Sequence, residues 1–423
     1  MSGFASVAYH CRECGYTCDV QTHPVLVFRC HAGPQCNGAP FTLIKTQPHG
    51  ADKSALFPIE LIRQRPANLW RYREAIPIMD ASDATIVSLG EGMTPLVLDK
   101  AASTPLPTPT DDDGEHGTAR PKHYYKLDHL MPTGSYKDRG ASVLVSKLNE
   151  LGVKAVVEDS SGNAGSAIAA YAARAGQMEC TILCPASTSV GKLAQIQMYR
   201  AHLQLVNGTR ADTTTAVFGA AANTVYASHN WNPFFMEGGK TVAFEIVEQL
   251  GWQAPSHVVC PVGFGSIFLA LHLGFSELLA AGVIATMPRL HGVQSTSCAP
   301  LLTSIQLANG NNGDTSGTTE PSVAQFSDAP AIASESCRVV PLDAAAPTLA
   351  EGITATNPMR GKDILRVVAA TRGSLVSVTD AQIEAGLQAL GAQGLFVEPT
   401  SAVVVHAYRQ LVSVGVIRSN ETV

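Results

Sequence analysis

Charge is scarce in this sequence. Only 15% of its 423 residues are Asp, Glu, Lys or Arg, against about a quarter in an average soluble chain. That scarcity argues against a tail-rich scaffold and against the low-hydrophobicity composition of disordered chains. The 45% apolar content points instead to a well-buried enzyme, and the length suffices for two domains with their own cores. A basic surplus is missing as well. The formal net charge of −6 provides no broad positive field for nucleic acid. No apolar run reaches about 18 residues, so no membrane span is expected. The opening MSGFASVAYH lacks the basic stretch and apolar core of a secretory signal.

Cysteine is present but unevenly spread. Five of the ten lie at 11, 14, 18, 30 and 36. The others, at 180, 184, 260, 298 and 337, sit mostly in apolar contexts such as CTILCP and VVCPVG and read as buried thiols. A reducing, cytoplasmic compartment fits that usage. Residues 1–50 read as a small unit of their own. CRECG brings Cys11 and Cys14 at zinc-knuckle spacing, and RCHAGPQC brings Cys30 and Cys36 at a looser one. Cys18 or His31 is a substitute ligand. The two readings are a structural zinc site and a reduced, cysteine-rich flap.

The remainder, 51–423, alternates strand and helix signals. KAVVEDS (154–160) predicts a strand, GSAIAAYAARAG (165–176) a helix, CTILCP and HLQLVNG two more strands. HVVCPV (257–262) predicts another strand and IFLALHLGFSELLAAG the helix after it. A βαβα order of this kind predicts an α/β fold with parallel sheets covered by helices. Two segments rich in Pro, Gly, Ser, Thr, Asp or Asn, 103–121 and 308–330, are expected to be disordered inserts without chemistry.

Ligands of parallel sheets gather at the carboxyl ends of strands. Two glycine-bearing turns fall there. In VGFGS, Gly263 and Gly265 let backbone approach an anion just before a helix start, where free N–H groups favour phosphate. SSGNAG offers Ser160, Ser161 and Asn163 at another helix start, either for a carboxylate and a ring hydroxyl or as plain capping residues. Between them in chemistry stands Lys137, in PTGSYKDRG (132–140). Alone it reads as a surface cation. With a phosphate cradle and an amide-bearing loop, it completes the set needed to hold pyridoxal phosphate as a Schiff base.

These segments carry a resemblance. LGEGMTPL (89–96), PTGSYKDRG, SSGNAGSAIAAYAARAG, GKLAQ (191–195), NPFFMEGGKTVAFEIVEQLG (232–251), PVGFGS, PRLHGVQ (288–294), TLAEGI (348–353) and GLFVEPTSA (394–402) occur in the order seen in threonine synthases. The chain resembles that family over most of 60–423. The cysteine-rich start resembles a zinc-ribbon-like piece found in some of its members.

The resemblance implies a two-domain pyridoxal-phosphate enzyme of the tryptophan synthase β-like fold (fold type II), with interleaved subdomains, the smaller at roughly 142–235. It implies that Lys137 is the cofactor lysine, that Asn163 meets the ring oxygen, and that Gly263, Phe264, Gly265, Ser266 and Ile267 bind the cofactor phosphate through main-chain amides. Ser160, Ser161 and Ala164 would lie near the substrate carboxylate. Ser187, Thr188, Lys192, Asn232 and Lys240 are candidates for the substrate phosphate, with surface or capping duty as the alternative. The implied reaction converts O-phospho-L-homoserine and water to L-threonine and phosphate, in a cytoplasmic homodimer whose only partner is a small phosphorylated amino acid. A threonine or serine dehydratase, a phosphoserine-using cysteate synthase and a degenerate non-catalytic homologue share the cofactor motifs. The family's TGxGxK-like segment does not appear before NETV at 420–423. The helix expected at 403–415 therefore leads toward a strand that is not completed, with backbone groups left unpaired.

Overall fold

A computed structural model describes residues 3–22, 27–33, 36, 38–80, 82–99, 121–188, 190–310, 321–326 and 339–423, without side chains at 190–192. The chain divides into two compact units that interleave in sequence. The first takes 1–94, 128–245 and 277–283; the second takes 95–127, 246–276 and 284–423.

The first unit begins with an antiparallel sheet of β1 (Ser6–His10), β2 (Thr17–Asp19) and β3 (Thr42–Thr46), with β1 in the middle. A short helix, α1 (Ile59–Arg63), follows. The ribbon of β4 (Leu96–Leu98) and β5 (Tyr124–Lys126) belongs to the second unit. The chain then returns to the first unit with α2 (Lys137–Glu150), β6 (Ala155–Glu158), α3 (Asn163–Ala175), β7 (Glu179–Pro185), α4 (Val190–Met198), β8 (His202–Val206), α5 (Arg210–Ala220), β9 (Val225–Tyr226) and α6 (Pro233–Gly239). The four strands form one parallel sheet in the order β8-β7-β6-β9. Gly176 ends α3 in the left-handed conformation at φ 76°, as its sequence predicts.

The second unit is built on β10 (His257–Pro261), β11 (Arg289–Ser295), β12 (Val323–Ala324) and β13 (Ser374–Val378) in the order β10-β11-β13-β12. Strands β10, β11 and β13 run parallel, and β12 closes the edge antiparallel. Helix α7 (Thr241–Gln249) leads in, followed by α8 (Ser266–Ala280), α9 (Pro300–Ala308), α10 (Gly361–Ala370), α11 (Asp380–Gly391) and α12 (Pro399–Ser413). Val293, Val376, Val378, Ile383, Leu390, Val403 and Leu411 make one buried cluster between this sheet and α11 and α12. Burying such a side chain contributes roughly 1.5–3 kcal/mol each.

Two expectations change. The segment 308–330 is not wholly structureless. Val323–Ala324 pairs with Val376 and Leu375, and Asn309 donates to the Gln325 carbonyl at 2.7 Å. Two β-compatible residues suffice there because β13 presents an open edge to pair with. The greater part of 103–121 and of 311–338 lies outside the described residues. The second change is at 421–423, where the backbone is paired. Val423 donates to the Lys122 carbonyl at 2.8 Å and accepts from Tyr124 at 2.9 Å, while Thr422 accepts from Ser256 and His257 at 2.8 and 3.1 Å. The pairing partners lie far away in sequence, which is why the segment read as open. Among the described residues no helix is long and apolar enough to cross a membrane.

Candidate active site

The charges around Lys137 have separate tasks. Asp138 and Arg139, its two successors, are both fully buried. The Asp138 carboxylate accepts the Thr133 amide at 2.7 Å and the Thr133 hydroxyl, closing the PTGS turn against the start of α2. Burial pushes the Asp138 carboxyl up to about 6, against the two Thr133 hydrogen bonds. Arg139 pairs with Asp128 on one side and Glu245 on the other; Thr241 accepts its remaining Nη1 proton at 3.2 Å, and the Thr94 hydroxyl shares Nη2 at 3.3 Å. Lys137 itself is half-buried, at the first residue of α2.

The Lys137 ammonium stands 4.8 Å from the Tyr136 ring centroid and 5.8 Å from that of Phe235. Phe235 reaches this place because α6 lies directly on α2. A Cβ at Gly140 would sit 2.4 Å from the Phe235 ring, so only glycine permits the approach. The GKLAQ segment contributes Gln195, whose amide donates to the Thr133 carbonyl at 3.1 Å.

At the carboxyl end of β6, α3 begins at Asn163 with Gly162 as its cap, and no side chain caps its first amides. The N-cap position itself, a glycine, therefore contributes no side chain. Ser160 Oγ accepts only the Gly162 amide, at 3.3 Å, among the described contacts. Ser160 and Ser161 are half-buried, Asn163 is exposed and Ala164 is buried.

Two residues that sequence reasoning passed over lie in the same unit. Glu158, the last residue of β6, is fully buried, and its Oε1 is 2.6 Å from Nδ1 of His229. Among the described residues its Oε2 has no hydrogen-bond partner. Burial raises the Glu158 carboxyl well above the ordinary carboxylate range, and burial followed by the Lys137 and Arg210 charges holds His229 well below the ordinary imidazole range. The only signal in the sequence was an acidic pair, Glu158-Asp159, at the end of an apolar strand.

The second unit supplies the other loop. Gly263 and Gly265 follow β10, and Ser266 and Ile267 open α8, whose first amides have no intrahelical acceptor. Gly265 has φ 88°, and a Cβ there would come within 2.4 Å of Ile364. A Cβ at Gly263 would come within 2.9 Å of the Ile353 backbone. The loop is thus a cradle of bare main chain, with the Phe264 side chain exposed. Taken unit by unit and by chemistry alone, main-chain N–H groups at a helix start suit a phosphate, and an amine beside aromatic rings suits an aldehyde, so the residues of each unit fit pyridoxal phosphate.

The substrate-phosphate candidates divide. Lys240 is corrected. It is fully buried, and its ammonium donates to the Ala75 carbonyl at 2.7 Å, to Glu237 and to Glu277, so its three protons are already placed. Asn232 caps α6, its Oδ1 accepting the Phe234 amide at 3.0 Å. Ser187 is exposed and Thr188 half-buried after β7. The side chain of Lys192 lies outside the described residues.

Near the start of the chain, Cys11, Cys14, Cys30 and Cys36 turn their Sγ atoms to within 4.8 Å of one another. The Ala32 and Gly33 amides donate to Cys30 and Cys36 at 3.4 Å each. Zn–S bonds of about 2.3 Å in a tetrahedron place sulfurs about 3.8 Å apart, and Cys14 and Cys30 are 3.6 Å apart. Cys18 stands outside this group and bonds the Asp19 carbonyl.

A family model for pyridoxal-phosphate dependent enzymes matches residues 87–423, and the chain belongs to that family. Its relatives narrow the placement. It is 31% identical to a threonine synthase of Methanocaldococcus jannaschii over 98% of this chain and 89% of that one. A threonine synthase of Methanosarcina acetivorans is 30% identical over 86% of this chain and 80% of its own length. Among solved structures, threonine deaminase isoform 2 from Solanum lycopersicum superposes with a TM-score of 0.60 at 18% identity, covering 89% of this chain and 85% of that one. A fungal L-serine ammonia-lyase from Rhizomucor miehei gives 0.57 at 15% identity, over 78% and 91%. These last two likenesses concern the fold alone.

Proposed function

We propose that this chain is a threonine synthase, releasing phosphate from O-phospho-L-homoserine and adding water to give L-threonine. The observation that carries the reading is the near end-to-end match to a threonine synthase, over 98% of this chain. The likenesses to the deaminase and the ammonia-lyase are confined to fold, at 18% and 15% identity.

Lys137 would hold the cofactor, and its free amine would take and return protons at the reacting carbons. When bound, pyridoxal phosphate supplies an electron sink for carbanions formed on the substrate. The main-chain amides of 263–267 would bind its phosphate, and Asn163 would hydrogen-bond its ring oxygen. Ser160, Ser161 and the amide of Ala164 would receive the substrate carboxylate at the start of α3. Ser187, Thr188, Lys192 and the amide end of Asn232 remain candidates for the departing phosphate, whose charge needs N–H or cationic partners. Asp138 and Arg139 do not touch substrate in this scheme; they fix the turn and helix that carry Lys137. The four clustered thiols hold a structural zinc. The chain acts as a homodimer in the cytoplasm, the compartment its many reduced cysteines fit.

The test is a pair of assays on purified, cofactor-loaded protein. Stoichiometric phosphate and threonine from O-phosphohomoserine are expected. Ammonia and a 2-oxo acid from threonine or serine, with O-phosphohomoserine left intact, would replace this reading with a dehydratase.

A further inference from the structure

Two adjacent rings of α6 look to different neighbours. The Phe235 ring centroid lies 5.8 Å from the Lys137 ammonium. Phe234 meets Tyr9 of β1 edge to face, with centroids 6.2 Å apart. Both phenylalanines are buried. The helix that carries them is weak by itself: it has seven residues and ends in Gly238 and Gly239, and so short a helix draws its stability from packing. Its seat on α2 leaves no slack. A Cβ at Gly238 would come within 1.9 Å of the Arg139 carbonyl oxygen, as one at Gly140 would meet the Phe235 ring.

Lys45 of β3 reaches the same helix. Its ammonium donates to both oxygens of Glu237, at 2.7 and 2.8 Å, and to Glu277. Lys240, the residue after α6, donates to the same two carboxylates and to the Ala75 carbonyl. Two lysines and two glutamates thus form a neutral cluster whose side chains are 13% exposed or less. All of these residues belong to the first unit. Well-packed apolar residues often serve stability as well as buried ion pairs do, or better. A cluster of four buried charges therefore points to a geometry that must be held, since ion pairs fix direction where apolar contacts can slide.

We propose that Lys45 is a positioning residue for the lysine site: from the N-terminal sheet it fixes Glu237 on α6, and α6 holds Phe235 against the Lys137 end of α2. The cysteine-rich unit is then a working part of the site, joined to it by contacts at β1 and β3. The hold is made by the ion pairs of Lys45 and not by the thiols, so loosening around Cys11–Cys36 leaves it in place. The inference rests on the reading of Lys137 as the cofactor lysine.

Lys45→Met combined with Glu277→Gln separates positioning from stability. The pair of changes keeps the cluster neutral, with Lys240 and Glu237 remaining, and cuts the tie from β3 to α6. Hydrogen exchange of the full-length cofactor-free chain, read by mass spectrometry, is expected to quicken by about 10-fold or more in α6 and the first turn of α2, with β6 and β7 unchanged. Quickening confined to β1–β3, or none, overturns the proposal. Glu277→Gln alone keeps the Lys45–Glu237 bonds and is expected to exchange like the parent in α6 and α2; the same rise there overturns it too. In the cofactor-loaded double variant, kcat for phosphate release is expected to fall about 10-fold or more with KM near the parent's, the mark of a displaced reacting group. Phe235→Leu probes the last link without touching the ion pairs. The same loss of kcat is expected with exchange in β3 unchanged, and a parent-like kcat overturns the proposal even where the double variant does not fold. Failure of the functional reading shows separately, as a parent protein that develops no lysine-bound cofactor absorbance, while the exchange measurement still reads the tie from Lys45.

Discussion

Arg139 and Glu245 are both without solvent exposure, and the Arg139 guanidinium meets the carboxylate through both terminal nitrogens, Nη2 to Oε2 at 2.8 Å. The same guanidinium grips Asp128 on its other side, at 2.8 Å from both Nε and Nη2. The first turn of α2 is therefore bolted to Asp128 and to the distant Glu245, two residues beyond Lys137.

Arg139→Met is expected to lower stability by about 3–5 kcal/mol, because it strands Glu245 and Asp128 without their cation. Arg139→Lys is expected to lose a large share of that, since one ammonium cannot make both planar contacts. Urea unfolding of the variants checks both values.

Lys137→Ala is expected to fold, with a melting temperature near that of the parent, because its side chain is only half-buried. Phosphate release should fall by at least about 10²-fold, the scale of a lost general base. Borohydride treatment of the cofactor-loaded parent, followed by peptide mapping, is expected to place the label on Lys137. Label on another lysine, or native turnover by the variant, would remove the assignment.

Gly265→Ala places a side chain at φ 88° and within 2.4 Å of Ile364. The loop must shift, and cofactor affinity is expected to fall about 10-fold or more, with about 1–3 kcal/mol of stability lost to backbone strain. Equilibrium titration with pyridoxal phosphate measures the first quantity and thermal unfolding the second.

Chelation is expected to loosen β1–β3 and leave the cofactor spectrum unchanged. Hydrogen exchange should rise around Cys11–Cys36, and metal analysis should return about one zinc per chain. No zinc in freshly purified reduced protein would leave the four thiols as a metal-free cluster.

His257 and His291 share a hydrogen bond of 2.9 Å inside the second unit. Burial, and then the neighbouring His257, bring His291 down from 6.5 to about 3. The folded value lies below the unfolded one, so the neutral ring's contribution is complete above about pH 6.5 and is lost as pH falls toward 3. The unfolding free energy is expected to decline across that window by at most about 1.4 kcal/mol per pH unit for this group. His291→Asn should flatten the slope in urea titrations at stepped pH.

Much of this was written in local sequence. The strand-then-glycine-then-helix units at 154–176 and 257–280 predicted their own structure, because apolar strands, helix formers and a left-handed Gly176 act over a few residues. That SSGNAG and VGFGS lead into helix starts, and that Lys137 opens α2, was legible for the same reason: a main chain at a helix start is a local property. The four thiols were legible through their spacing, although the loose gap between Cys30 and Cys36 left Cys18 and His31 open until folding set them aside.

What the tertiary structure decided was which partners each charge receives. Lys137, Lys240, Arg139, Glu158 and Asp159 are equivalent in the sequence as charged residues near motifs. Folding assigns Lys240 to Glu237, Glu277 and a carbonyl 165 residues away, and gives Arg139 to partners up to 106 residues distant. It satisfies Asp159 and leaves Glu158 with one histidine, 71 residues on. Folding also pairs 421–423 with backbone near residue 122. The role of a charge depends on the dielectric and the partners around it, and those are set by segments that meet only in three dimensions.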